Sequence, residues 1–222
     1  MQIYNEKLFD LFQDKESNRP LVVREDRLLG VYVEGVSEYV VTTAGDCFTL
    51  LRRGERNRIT RQTRSNIKSS RSHTMFQIVL EVSSPDGSGR LTRAKLNLCD
   101  LAGSEKIHAE EQLGAEHLQE LKTINLSLST LGKVISALAK PKGTTPAAAA
   151  LVPYRESKLT RLLKDSLGVH TRTILIATLS PLTECIEESV STLKFADRAK
   201  QVMVRVTANE VNAKDDAVVQ KL

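Results

Sequence analysis

Leu96-Asn97-Leu98-Cys99-Asp100-Leu101-Ala102-Gly103-Ser104-Glu105 is an apolar run that ends abruptly in an acid, a glycine and a second acid. It reads as a buried strand that delivers Asp100 and Gly103 to the open end of a sheet. Ligands of open α/β sheets bind beyond the carboxyl ends of strands, so chemistry is expected here. An aspartate at such a place can hold Mg²⁺ or its water shell, and a glycine, lacking Cβ, lets backbone N–H approach a phosphate. D-x-x-G also occurs in ordinary loops. Taken alone, a strand end followed by a turn is the better reading.

Upstream, residues 74–82 alternate, with Phe76, Ile78, Leu80 and Val82 on one face. The Pro85-Asp86-Gly87-Ser88-Gly89 turn then joins them to residues 91–101 as a hairpin. Immediately before the hairpin lies Asn66-Ile67-Lys68-Ser69-Ser70-Arg71-Ser72-His73. Its serines offer hydroxyls to a metal or phosphate, and Arg71 offers a fixed cation to an anion or a partner acid. A polar turn with a helix cap is the plainer alternative for the octet alone. Next to the Asp100 motif, one hairpin away, that alternative loses most of its weight.

The chain opens on a β-rich stretch, Met1 to Glu6. Residues 21–23 and 31–41 read as short strands or a hairpin with turns at Gly30 and Gly35. Residues 43–56 read as a helix ending near Gly54, followed by a polar, basic, exposed connection over 57–67. After an acidic loop, Leu118, Leu121, Ile124, Leu128, Leu131, Ile135 and Leu138 recur at three and four residue spacing, which predicts a long amphipathic helix. A short basic helix over 157–167 and a buried strand over 173–179 follow. The last helix, 186–204, turns Ile186, Val190, Leu193 and Ala196 inward, and the polar tail from Thr207 leaves the domain.

The 222 residues suffice for one good-sized core, and no window approaches the ~20 apolar residues of a membrane helix. Cys47, Cys99 and Cys185 are odd in number and scattered, which fits buried thiols in a reducing compartment. The four histidines lack ligand-like spacing, which argues against zinc. A net charge of +5 suggests an acidic partner. With 4% aromatics and no Trp, a single-strand RNA platform is disfavoured.

In sum of motifs the chain resembles the kinesin motor domain over nearly its whole length. Asn66 to His73 matches the family's N-x-x-S-S-R-S-H switch I, and Asp100 to Glu105 its D-L-A-G-S-E switch II. Ile3-Tyr4-Asn5-Glu6 and Gly30 to Gly35 are similar to the family's I-Y-N-E strand and the segment after it. Ile124 to Gly132 is similar to its I-N-x-S-L-x-x-L-G helix. Val152 to Leu163 matches V-P-Y-R-[DE]-S-K-L-T-R-L-L, and Ser191 to Ala196 the last helix.

The resemblance implies an α/β, P-loop-NTPase-like motor fold, a central mixed sheet flanked by helices. Residues 1–205 would form the C-terminal portion of a motor domain and 206–222 a neck-linker-like tail. It implies ATP and Mg²⁺ as cofactors of the complete motor and microtubules as the partner, with no nucleic acid and no membrane. An oligomer through a stalk and a cytoplasmic, cytoskeletal location follow in the same way. Ser70 and Asp100 would hold Mg²⁺, Asp100 through water. Ser69 would position the attacking water, Gly103 would sense the γ-phosphate, and Arg71 with Glu105 would close the site as a salt bridge. Asn66, Ser72 and His73 belong to the same nucleotide-facing set, and the long helix would relay movement of switch II. Tyr154, Arg155, Lys158 and Arg161 would face acidic tubulin, among a run of cations that also holds Lys133, Lys140, Lys142 and Lys164.

One departure is large. The family's G-x-x-x-x-G-K-[ST] phosphate loop is absent from the sequence, and the sole Gly-Lys pair, Gly132-Lys133, precedes Val134 in the long helix. The resemblance places that loop upstream of Ile3, so Met1 reads as an internal methionine of a longer motor. It also places the loop's strand between residues 91–101 and 173–179, whose facing edges are then expected to stand open. A truncated, non-hydrolysing tubulin-binding module is therefore the alternative to an ATP-driven motor. Two smaller departures are the acidic loop at Glu110, Glu111 and Glu116 and the alanine run 147–150 in the tubulin-facing loop.

Overall fold

A computed structural model describes residues 1–14, 19–26, 30–62, 71–83, 90–103, 115–139, 152–167, 171–202 and 210–212. In chain order its elements are β1 (Gln2–Tyr4), β2 (Lys7–Phe9), β3 (Val22–Asp26), β4 (Gly30–Glu34), α1 (Ala44–Gln62), β5 (His73–Ser83), β6 (Arg90–Asp100), α2 (Ala115–Leu138), α3 (Lys158–Leu162), α4 (Ile186–Lys200) and β7 (Glu210–Asn212). One sheet has the order β2-β1-β5-β6-β7 and a small second sheet pairs β3 with β4. Every pairing among the described strands is antiparallel, so the mixed character expected of the sheet is not seen among them.

The β1–β2 hairpin turns on Asn5 and Glu6, both left-handed with φ of 49° and 54°. A two-residue turn of this kind needs positive φ at both central positions, and asparagine tolerates it far better than glutamate. The Glu6 carboxylate is held in place: it accepts hydrogen bonds from Ser157 Oγ (2.8 Å) and Lys158 N–H (2.7 Å) at the start of α3. The strained turn thus fastens the hairpin to α3, whose own cap is Ser157 Oγ accepting from Leu159 N–H.

The core lies where this hairpin, the small sheet, α2 and α3 meet. Ile3, Leu8, Val23, Val33, Leu131 and Leu159 are among its members. Leu131 and Ile135 of the expected stripe lie on the buried face of α2, joined there by Val134, which the stripe did not include. At about 1.5 Å per residue the 24 residues of α2 span about 36 Å.

Several expectations are corrected. Helix α1 does not end near Gly54 but runs to Gln62. Gly54 is buried in the body of the helix rather than at its stop, and a Cβ there would make only ordinary contacts, 3.7 Å from both Leu11 Cβ and Phe12 Cε1. Arg53 donates to Phe12 O (2.8 Å) and Asn57 to Leu11 O (2.6 Å), so tertiary bonds carry the helix past a residue that favours termination. The amino end carries a reciprocal cap, in which Asp46 Oδ2 accepts from Thr43 N–H (2.9 Å) and Asp46 N–H donates to Thr43 Oγ1 (3.2 Å). A further hydrogen bond from Thr42 N–H (3.1 Å), together with those from Thr43, holds the Asp46 carboxyl below its usual range.

In β5 the buried positions are His73 and Met75, while Leu80 and Val82 of the expected inner face stand exposed. The same holds for β6, expected to be buried, where Leu96 and Leu98 are about half exposed. Among the described residues of the hairpin, those at the Asp100 end meet the core. Cys99 is exposed rather than buried, and all three cysteines are free. Residues 173–179, expected as a buried strand, make no ladder and expose Ile174 (76%) and Ile176 (82%). A strand exists only with a partner, and none of the described residues pairs there. The stripe Ile186, Val190 and Leu193 of α4 is likewise exposed; α4 meets the core through Phe195 and Ala199. The tail contributes β7, which pairs Arg90 with Asn212 and Thr92 with Glu210.

Candidate nucleotide-switch site

The ten-pair register of β5 on β6 sets Thr74 opposite Asp100. It thereby brings the last residues of the Asn66–His73 octet beside the strand end that carries the Asp100 motif. Asp100 projects with a largely exposed side chain, and Arg58 Nη1 of α1 lies 2.9 Å from its Oδ2. Arg58 is mostly buried and reaches Ser72 O as well, at 3.4 Å. A guanidinium carried on α1 thus pairs with a carboxylate that the resemblance assigns to a metal's water shell. Arg58 was not singled out from the sequence. It falls in a basic stretch read as an exposed connection, and only the extension of α1 brings it to the strand end.

Ser72 and His73 are both buried, at 2% and 4% exposure. Ser72 Oγ accepts from Gln2 Nε2 (3.0 Å). His73 Nδ1 accepts from Ala102 N–H (2.9 Å), and its Nε2 lies 2.7 Å from Ser127 Oγ of α2. Burial holds the imidazole well below its ordinary pKa, at about 4, against an opposing pull from Asp100. Both side chains expected to face nucleotide are therefore used inside the protein. Arg71 lines a small cavity with Thr123, Ser127 and His73. Gly103 stands at the cleft, half buried. Asn66, Ser69, Ser70 and Glu105 lie outside the described residues.

Asp100, Arg58 and Gly103 are among the residues lining an open cleft of about 2350 Å³, to which β6, residues 171–180, α4 and parts of α1 and α2 also contribute. Small-molecule pockets occupy about 300–1,000 Å³, so this cleft is larger than a nucleotide requires. For ATP with Mg²⁺ the described residues supply a carboxylate, a guanidinium and a glycine. The sequence holds no glycine-rich cradle for the α- and β-phosphates. These residues fit the terminal-phosphate side only.

The expected track-facing residues gather on the α3 side. Tyr154 and Arg155 form a 3-10 turn ahead of α3. The buried Thr160 Oγ1 joins turn to helix, donating to Tyr154 O (2.8 Å). Burial raises the Tyr154 phenol, aided by Asp165. Arg155 is exposed, and Lys158 and Arg161 are half-buried. Two other cations of the expected run are neutralised within the chain: Lys133 by Glu156 (3.0 Å) and Lys164 by Glu25. Lys140 and Lys142 lie outside the described residues.

An α/β domain with a hairpin-built switch site at one strand end is the class this geometry defines. The family model for the kinesin motor domain matches residues 1–202. The kinesin-like protein KIN-5A of Arabidopsis thaliana is 42% identical over 221 residues, covering 95% of this chain and 20% of that protein. Human kinesin-like protein KIF13A is 44% identical over 213 residues, covering 95% of this chain and 12% of that protein. A solved KIF14 dimer, in a two-heads-bound state with AMP-PNP in complex with a microtubule, superposes with a TM-score of 0.81 at 37% identity, over 99% of this chain and 61% of that one. A second solved structure, of a fast kinesin, gives a TM-score of 0.81 at 39% identity, over 95% of this chain and 57% of that one. The chain belongs to the kinesin motor-domain family, and it spans about a fifth or less of the length of these curated relatives.

Proposed function

We propose that this chain is the switch-bearing and track-binding portion of an ATP-driven microtubule motor acting on the cytoplasmic cytoskeleton. The observation that carries the reading is the convergence, at the end of β6, of Asp100, Arg58 and the His73 ring in a chain of this family. In this reading Asp100 and Ser70 serve Mg²⁺, Ser69, Arg71 and Glu105 serve hydrolysis, and Asn66 and Gly103 face the nucleotide. In the same reading residues 1–205 form the motor portion and 206–222 a neck-linker-like tail, of which residues 210–212 pair on β6 as β7. The track surface is the Tyr154–α3 region. Arg155, Lys158 and Arg161 carry its charge, Arg155 and Arg161 within the field of Glu25, while Lys133 and Lys164 are directly paired with acids of the chain. Attraction of these cations to acidic tubulin is screened by salt.

A second reading is a tubulin-binding module that does not hydrolyse ATP, favoured by the absence of G-x-x-x-x-G-K-[ST] from the 222 residues. Two measurements on the purified chain separate the readings. Microtubule co-sedimentation should be seen under both and should weaken as salt rises. Arg155→Ala with Lys158→Ala should weaken it by about three- to tenfold at low salt, as for one exposed and one half-buried surface charge; no change would remove this face from the proposal. Microtubule-stimulated phosphate release supports the motor reading for the chain by itself, and binding without release supports the second.

A further inference from the structure

His73 touches three elements through one buried ring. It begins β5, accepts from Ala102 N–H in the segment after β6, and meets Ser127 Oγ in the middle of α2. Backbone N–H can only donate, so Nδ1 must carry no proton. The proton of the neutral ring is then on Nε2, which donates to Ser127 Oγ. At 4% exposure, neither bond is replaced by water when it breaks. A buried donor or acceptor left alone is costly, so displacement of Ala102 either carries the ring along or leaves a polar group unpaired.

We infer that His73 is a positioning residue that couples the backbone of the Asp100–Gly103 segment to α2, through Nδ1 to Ala102 and through Nε2–H to Ser127. Movement at the end of β6 then reaches α2 at Ser127 directly, without passing through the lengthy chain between residues 103 and 127. The inference deepens the motor reading by naming the link between its switch and its long helix. The contacts themselves do not depend on nucleotide or track.

The test uses the whole chain, with hydrogen exchange read at the Ala102 amide and at the α2 amides near Ser127. His73→Asn keeps an acceptor near the Nδ1 position but is too short for Ser127. His73→Gln can place a donor near the Nε2 position and lacks the acceptor for Ala102. The first should leave Ala102 protected and speed exchange in α2 by about three- to tenfold; the second should do the reverse. Ser127→Ala, which does not touch Ala102, should speed exchange at Ala102, and should add nothing once His73→Ala is present. Urea unfolding of each variant separates local from global opening. Equal changes at both sites in every variant, beyond the change in global stability, would overturn the coupling, as would no response of Ala102 to Ser127→Ala. A further readout needs no variant: nitrogen NMR of the His73 ring should find the Nε2–H tautomer, and an Nδ1–H ring would overturn the assignment. None of these readouts uses ATPase or microtubule binding, so failure of the coupling is distinguishable from failure of the motor reading.

Discussion

Gly30→Ala should lower the unfolding free energy by about 2–4 kcal/mol, the sum of a left-handed backbone and a lost charged hydrogen bond. Gly30 opens β4 with φ +69°, where a Cβ is strained whatever surrounds it. Here it is also blocked, because the added Cβ would lie 2.4 Å from Asp165 Oδ2. That oxygen accepts from Val31 N–H at 2.8 Å and ties the small sheet to the turn after α3. The alanine forces Asp165 aside, and the bond goes with it. Gly35→Ala is the natural control: its φ is +73°, yet nothing lies within 4 Å of the new Cβ. It should cost only the backbone strain, about 1–2 kcal/mol. Urea unfolding of both variants decides the matter, and equal losses would show that the Asp165 contact contributes nothing.

Acidification should remove about 3 kcal/mol of stability between pH 7 and pH 4 through His73 alone. The ring titrates near 6.5 when exposed and at about 4 when folded, because burial disfavours its charged form more than Asp100 favours it. The unfolded chain therefore binds the proton first. The stabilising contribution is complete above pH 6.5, falls by up to one proton's worth per pH unit as pH drops, and levels off below about 4. Carboxylates titrate in the lower part of that window too, so the comparison is with His73→Asn. The difference between the two pH profiles should grow from pH 7 towards pH 4. Parallel profiles would mean that the ring takes up its proton at the same pH in the folded and unfolded chain, as a water-exposed imidazole does.

How far the site could be read in advance differed from residue to residue. Asp100 and Gly103 announce themselves because an apolar run ending in D-x-x-G has few structural explanations beside a second polar octet one hairpin away. His73 was legible as a member of that octet but not in its role. Nothing in N-x-x-S-S-R-S-H says which side chains turn inward, and the β5–β6 register decides that. Arg58 was missed because a basic stretch after a glycine looks like a loop. It lies in a helix whose continuation past Gly54 is supported by Arg53 and Asn57 bonding to carbonyls at Phe12 and Leu11, over forty residues away in sequence.

Residues 173–179 and the Ile186, Val190 and Leu193 stripe failed for a related reason. β-branched and apolar residues state that a segment prefers burial. Whether it is buried depends on what stands opposite, and the described residues place only an open cleft along residues 171–180.

By itself the sequence determined the family, the order and kind of most elements, the β5–β6 hairpin, the amphipathic α2 and the absence of a phosphate loop. Each of these is written in local spacing: period two, period three and four, or a contiguous motif. The tertiary structure alone decided that Arg58 pairs with Asp100, that one His73 ring joins Ala102 to Ser127, that Glu6 holds the start of α3, and that much of the apolar surface of β6 and α4 faces no partner among the described residues. Those contacts join residues 29 to 152 positions apart, and local spacing carries no information about separations of that size.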